Sequence, residues 1–162
     1  MKKARKGFTL VELMIVIGIM GILGGMAMIG GQEAVNSAKG TRIVDGLEKG
    51  SAAMMSYYID VHKDIDAGTE YDKEKIATGA NAYLKSDSEL VSTDTAGKYS
   101  VTVDGTGAGA TWWIGYTFTD AEGDKVKAII ENKATALNLK NGVTSTDAAY
   151  DKSKGTVYMK VR

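Results

Sequence analysis

The 162-residue sequence contains no cysteine and no proline. The absence of cysteine excludes disulfide bonds, thiolate nucleophiles and cysteine-ligated metals. Without proline, turns must be made by glycine, asparagine and aspartate, and 20 glycines are available. Basic and acidic residues both number 20, so no net charge directs the chain to nucleic acid. The length fits one domain with an appended segment.

Residues for catalysis are also scarce. His62 is the single histidine, and no Gly-x-Ser-x-Gly elbow is present. The glycine-rich "GTGAGA" lacks both the Lys-Ser/Thr of a phosphate loop and the spacing of a dinucleotide fingerprint. An acidic stretch, "DIDAGTEYDKE" at 64–74, lacks EF-hand spacing, so a solvated loop is favoured over a calcium site. We therefore predict no catalytic residues, no cofactor and no metal.

The charge is unevenly distributed along the chain. The first seven residues carry four positive charges, and the rest of the chain has 16 basic against 20 acidic residues. Residues 8–29 then form an apolar stretch whose single charge is Glu12. At about 1.5 Å per residue this stretch makes roughly 33 Å of helix, enough to cross a hydrocarbon core of about 30 Å. The basic cluster before it predicts a helix whose N-terminus stays in the cytoplasm.

Two common kinds of segment explain this pattern incompletely. A secretory signal peptide has a shorter apolar run followed by a small-residue cleavage site, whereas this run continues into a polar helical pattern. A plain signal anchor accounts for the basic cluster and the apolar span, but it does not account for Glu12.

An unpaired carboxylate in a membrane helix costs a few kcal/mol, so Glu12 requires a cationic partner. No Lys, Arg or His follows it before Lys39. Cleavage between Gly7 and Phe8 would create an α-ammonium group about one helical turn from Glu12. That amine could pair with Glu12 of its own chain or with Glu12 of a neighbouring, axially staggered subunit.

The segment "KGFTLVELMIVIGIMGIL", residues 6–23, resembles the N-terminal signature of type IV prepilins. The resemblance implies that Gly7 precedes the cut made by prepilin peptidase and that Phe8 becomes the N-methylated first residue. It also implies that Glu12 is the acidic residue needed to dock one subunit onto the next. Methylation leaves the amine able to carry a charge, so the pairing argument is unchanged by it.

The same resemblance implies a life cycle and a set of partners. The chain would span the inner membrane once and would then be lifted by an ATPase-driven assembly platform into an extracellular helical homopolymer. The signature is shared with pseudopilins of type II secretion systems, which are the principal alternative. A membrane-anchored enzyme or binding protein is a third interpretation, disfavoured by the lack of catalytic motifs.

Glycines interrupt the apolar helix. Type IV pilins usually have a proline in this region, and this chain has none, so we expect two glycine pairs to act as flexible points instead: Gly24-Gly25 and Gly30-Gly31. As a hypothesis, this part of the helix partly melts in the assembled filament. Gly21 and Gly25 also form a small-xxx-small pair that favours close helix approach.

We predict an α+β fold in which a long N-terminal helix packs against a small antiparallel sheet. Its segments are a leader at 1–7, a transmembrane or filament-core helix at 8–29, an amphipathic half at 30–63 and a head at 64–162. Alternation and aromatic content predict strands at Lys98–Asp104, Thr111–Thr119 and Gly155–Val161. Short helices are predicted at Tyr71–Lys85 and over the apolar positions Val126 to Leu137.

Two sets of residues are predicted to form the core of the head. The amphipathic half of the helix contributes an apolar stripe: Val44, Leu47, Met54, Tyr58 and Val61. Aromatic residues of the sheet take the place of the disulfide found in many type IV pilins: Trp112, Trp113, Tyr116, Phe118 and Tyr158.

Overall fold

The computed structural model describes residues 8–61, 72–84, 89–106, 109–144 and 146–162, except for the side chain of Ile29. Contacts divide the chain into two compact units, residues 1–36 and residues 37–162. Several sequence predictions fall outside the described residues: those for the leader with Gly7, for His62, and for the acidic residues Asp64, Asp66 and Glu70.

Three helices and five strands make up the described structure. The helices are α1 (Leu10–Val61), α2 (Lys73–Asn81) and α3 (Gly123–Ala134). The strands are β1 (Leu90–Val91), β2 (Tyr99–Asp104), β3 (Thr111–Thr117), β4 (Leu139–Lys140) and β5 (Thr156–Lys160). A 3-10 turn, Asp120–Glu122, leads into α3. The predicted helices and the three longer strands are confirmed, with bounds that differ by a few residues.

Helix α1 runs without interruption through both glycine pairs of the apolar segment. Nothing within 4 Å would meet a Cβ added at any glycine between Gly18 and Gly31. The glycines therefore do not break the helix of the single chain. Whether they loosen it in a filament stays a hypothesis.

The C-terminal half of α1 supplies one wall of the core of the head. Its buried apolar side chains include three from the predicted stripe and two that the prediction omitted: Val44, Leu47, Met54, Ile43 and Ala53. Tyr58 and Val61 are half-buried, and Tyr58 packs against this cluster. The stripe follows the 3.6-residue period, as expected for a helix with one face against a sheet.

Three glycines of α1 mark the places where the head approaches the helix backbone. A Cβ at Gly46 would overlap the phenol ring of Tyr99, and a Cβ at Gly50 would overlap the side chain of Ile114. A Cβ at Gly40 would lie 2.9 Å from Cγ2 of Ile129. These glycines therefore allow close packing, although in sequence they read only as weak points of a helix.

The five strands form one sheet in the order β1-β2-β3-β5-β4. Strands β2, β3, β5 and β4 pair in antiparallel fashion, as predicted, but β1 pairs with β2 in parallel, so the sheet is mixed. Nδ2 of Asn81 donates to the carbonyl of Leu90 at 2.9 Å. The N–H of Leu90 donates in return to Oδ1 of Asn81 at 2.8 Å. Asn81 thus supplies the hydrogen bonds that a further strand would give to β1.

The aromatic core follows the prediction for four of its five members. Trp112, Trp113, Tyr116 and Phe118 are buried, while Tyr158 is half-buried and donates a hydrogen bond to Asp94. The rings lie in pairs, with Trp112 edge-on to Tyr58 at 5.2 Å and Tyr116 edge-on to Phe118 at 5.4 Å. Such contacts are worth about 0.5–1.5 kcal/mol each beyond the buried area.

The C-terminal region is held by hydrogen bonds and by a buried ring. The Tyr150 N–H donates to the carbonyl of Leu139 in β4 at 2.9 Å, and the Tyr150 ring stacks on Phe118 at 5.8 Å. The Asp151 N–H donates to Oδ1 of Asn141 at 2.9 Å. These contacts tie the segment after β4 to the sheet without a covalent bond.

We expect Gly46→Ala to lower the free energy of unfolding by about 1–3 kcal/mol, because the new methyl group overlaps the Tyr99 ring. Urea unfolding of the full chain in detergent micelles measures this change. Gly155→Ala is the matched control, since nothing lies within 4 Å of a Cβ there. In a Tyr99→Ala background Gly46→Ala should cost much less. An equal cost in both backgrounds would contradict the packing argument.

We also expect the head to lose stability in alkaline solution. Burial, reinforced by the Asp45 carboxylate, raises the pKa of Tyr99 to about 12. An unfolded tyrosine has a pKa of about 10, so above this pH the unfolded chain releases a proton that the folded chain retains. The stabilisation is therefore complete below about pH 10 and is lost between about pH 10 and 12.

The free energy of unfolding is measured from about pH 9 upward, in steps of about one pH unit. Tyr99→Phe should make the decline shallower, because one titrating group has been removed. A decline of unchanged steepness in Tyr99→Phe would rule Tyr99 out as a source of the effect.

Candidate functional site

The first unit of the chain presents a helix surface that is apolar on all sides. Among the described side chains from Leu10 to Met28, the large apolar ones are exposed, from 47% for Val16 to 77% for Met28. By length and composition, α1 contains a segment able to cross a membrane. Burying one such side chain is worth about 1.5–3 kcal/mol, so the segment requires a lipid or protein environment.

Thr9 and Glu12 form a capping box at the start of α1. The backbone N–H and the hydroxyl of Thr9 each donate to Oε2 of Glu12 at 2.8 Å. The N–H of Glu12 donates in return to Oγ1 of Thr9 at 3.3 Å. The box satisfies N–H groups that the first turn of a helix leaves without intrahelical partners.

This geometry brings the Glu12 carboxylate back to the chain segment at Phe8 and Thr9. Its negative charge also lies at the positive end of the helix dipole, where an anion is stabilised. Among the described residues, Oε1 of Glu12 accepts no hydrogen bond, so one carboxylate oxygen is available to another donor. The structure therefore brings Glu12 toward Phe8, while Gly7 lies outside the described residues.

Thr9 was not among the predicted site residues. The signal was nonetheless present, because Thr-x-x-Glu immediately before an apolar run is the sequence pattern of a capping box. The predicted flexible glycines, Gly24, Gly25, Gly30 and Gly31, make no contact that assigns them a role.

The head contains a shallow groove of about 490 Å³ between α1 and the sheet. Charged residues and tyrosines line it: Lys39, Arg42, Asp45, Lys49, Tyr99, Tyr116 and Glu122. The Tyr116 hydroxyl donates to Glu122, and the same carboxylate accepts from the hydroxyl of Thr119 at 2.7 Å. Within the described part of the chain, no group of three acidic or histidine side chains is placed to hold a metal ion.

The fold and the N-terminal turn define a class of protein: a membrane-length apolar helix with one capped carboxylate, continuous with a helix that carries an α+β head. Comparison with known families agrees with the N-terminal part of this description. Residues 2–28 match the family model described as the prokaryotic N-terminal methylation motif. This match includes Gly7, Phe8, Thr9 and Glu12.

Two known proteins are similar to the chain. Fimbrial protein Q of Moraxella bovis is 47% identical over 51 residues, which are 32% of this chain and 32% of that protein. The match thus spans about a third of the length of fimbrial protein Q. The major type IV pilin PilA1 of Clostridium difficile has 18% identity and a TM-score of 0.45, covering 80% of this chain and 98% of that one. The predicted resemblance to type IV pilins is confirmed by the motif and by the fimbrial relative.

We expect Thr9→Ala to weaken the start of α1, because the substitution removes the hydroxyl that both donates to and accepts from Glu12. Loss of such a cap costs about 0.5–2 kcal/mol. Amide hydrogen exchange of the full chain in micelles should show faster exchange in the first turn, with little change beyond Met14. Thr9→Ser is the control and should exchange at the wild-type rate. Equal protection in Thr9→Ala would contradict the capping role.

Proposed function

We propose that this chain is the structural subunit of a type IV pilus and that it polymerises through residues 8–29 into a surface filament. The observation that carries the proposal is the apolar helix surface interrupted by one carboxylate at its first turn. A transmembrane anchor needs the apolar surface but gains nothing from the carboxylate, which costs a few kcal/mol in lipid when unpaired. A bundle of identical helices can use both.

The carboxylate finds its partner only after cleavage. In this proposal, prepilin peptidase cuts after Gly7, and the new amine of Phe8 is methylated and remains positively charged. The Thr9 cap directs Oε2 of Glu12 toward its own chain and leaves Oε1 for the amine of a neighbouring subunit. An ion pair in a water-poor helix bundle is strongly favoured over two separate buried charges.

Assembly then proceeds from the membrane. The chain first spans the inner membrane with its basic leader in the cytoplasm and its head outside. An assembly platform driven by an ATPase lifts each subunit into the base of the filament, which emerges as an extracellular fibre. The ATPase supplies the energy for extraction, and the subunit itself supplies none.

A pseudopilin of a type II secretion system is the alternative. It would share the N-terminal turn, the cleavage and the helix bundle, and it would form a short periplasmic structure instead of a surface fibre. Shearing of native cells followed by electron microscopy distinguishes the two. Long fibres composed of this chain support the pilin, whereas secretion that depends on the chain in the absence of fibres supports the pseudopilin. A membrane-anchored binding protein or enzyme would show neither.

We expect Glu12→Gln and Glu12→Val both to reduce the yield of sheared fibres sharply, with membrane insertion and leader removal unchanged. Glutamine at this position still accepts the hydrogen bonds of a capping box but carries no charge, whereas valine abolishes both. Immunoblots of sheared and membrane fractions measure the yield and the cleavage. Thr9→Ala is the complementary control, since it keeps the charge and should retain most of the yield.

These variants separate the two roles of Glu12. A normal fibre yield from Glu12→Gln would show that the capping box is sufficient and would overturn the pairing with the Phe8 amine.

A further inference from the structure

Helix α1 carries opposite charges on its two flanks where it crosses the head. We define the basic flank as Lys39 and Arg42, which border the groove that contains Tyr99. We define the acidic flank as Asp45 and Glu48, which together border a second groove on α1 near Leu137. Asp45 also borders the groove of the basic flank, and Glu48 does not. At about 100° per residue, Arg42 and Glu48 lie about 120° apart around the helix. Arg42 and Glu48 therefore point to different sides of the helix.

Most of these charges form no ion pair within the described chain. The two ion pairs among the described residues are Lys49 with Asp45 at 2.6 Å and Lys98 with Glu89 at 3.6 Å. Lys39, Arg42 and Glu48 take part in neither pair, and all three are exposed. Lys133 borders the groove of Glu48 without lying within ion-pair distance of it.

A surface with one sign on each flank suits a particular kind of association. In a head-to-tail association, each copy binds its two neighbours through two different patches. Such contacts form open helical polymers when the rotation between copies does not close a ring. A basic flank on one copy and an acidic flank on the next satisfy this geometry. A two-fold contact would instead use one self-complementary patch on both copies, whereas Arg42 and Glu48 lie on different sides of the helix.

The axial register agrees with this arrangement. If Glu12 of an incoming subunit is level with Phe8 of its neighbour, the two copies are offset by four residues, or about 6 Å along a helix. In a filament with helical symmetry every residue is displaced by the same rise. Where α1 lies along the filament axis, Asp45 and Glu48 of the incoming copy come level with residues 41 and 44 of the neighbour, on either side of its Arg42.

We propose that a second copy of this chain is the partner of these flanks, and that Arg42 of one subunit binds the Asp45–Glu48 carboxylates of the next. The inference rests on the proposed filament and adds to it the contact that fixes the angle and register between heads. The guanidinium of Arg42 can engage two carboxylate oxygens at once, which gives the contact direction as well as attraction. Lys39, one turn earlier, adds positive charge to the same flank.

Charge reversal tests the contact in the full chain expressed in fibre-forming cells. Arg42→Glu should reduce the yield of sheared fibres roughly tenfold, because it places like charges together at every subunit contact. Glu48→Arg should do the same by facing Arg42 of the neighbour. The double variant Arg42→Glu/Glu48→Arg should restore most of the yield, since it re-creates the pair with the charges exchanged.

Glu74, an exposed carboxylate of α2, provides the matched control. Glu74→Arg should leave the yield unchanged, and it should not rescue Arg42→Glu. A normal yield from Arg42→Glu would overturn the inference, as would failure of the exchanged pair to rescue a loss. A rescue of Arg42→Glu by Glu74→Arg would also overturn it, by showing that overall charge alone matters.

A second experiment uses the absence of cysteine in the chain. Cells express Arg42→Cys subunits together with Glu48→Cys subunits, and sheared fibres are treated with a short bis-maleimide. Because each subunit carries one thiol, a covalent link must join two subunits. We expect crosslinked dimers from the mixture and almost none from either variant alone.

The two experiments separate this inference from the proposed function. Fibres that form normally but give no dimers in the mixture would overturn the contact and leave the filament intact. Cells that make no fibres of the wild-type chain would overturn the filament itself. Equal crosslinking of each variant alone would show that like residues lie together, which would also overturn the inference.

Discussion

An apolar helix surface that cannot remain in water is the constraint on which the rest of this protein depends. The large side chains described from Leu10 to Met28 are exposed around the whole helix. At about 25 cal/mol per Å² of apolar surface, their combined burial is worth many times more than a single hydrogen bond or ion pair. Lipid can supply that burial, and so can other copies of the same helix. The one carboxylate in the segment bears on this choice, because an unpaired charge is costly in lipid and, in the proposed filament, a neighbouring copy brings a cation to it.

The sequence was most informative where a pattern repeats over many residues. Helix α1 was predictable because its apolar run and its amphipathic stripe both follow simple rules of length and period. Strands β2, β3 and β5 were predictable from alternation and β-branched or aromatic content. At the N-terminal turn, Glu12 stood out because its cost in lipid demands a partner. Thr9 was missed, although its spacing from Glu12 indicates a cap.

Features that depend on contacts between distant residues could not be predicted. Strands β1 and β4 have two residues each, too few to show alternation, and β1 is held by the side chain of Asn81. The parallel pairing of β1 therefore had no local signal. In the sequence, Gly46 is only a poor helix former, yet in the structure it is the position that accommodates the Tyr99 ring. In an isolated helix, glycine is about 1 kcal/mol less favourable than alanine. The sequence alone does not show the packing with the sheet that a glycine allows.

The C-terminal half of α1 has to serve two kinds of packing at once. On one side, Gly46 and Gly50 let the sheet approach the backbone so closely that Tyr99 and Ile114 fill the space of absent side chains. On the flanks, Arg42 and Glu48 remain exposed with no partner within ion-pair distance in the described chain. Because the head has no disulfide, its orientation on α1 depends on this close packing at Gly46 and Gly50. In the proposed filament, a head that is fixed on its helix would transmit the angle that the charged flanks set, whereas a loosely attached head would not.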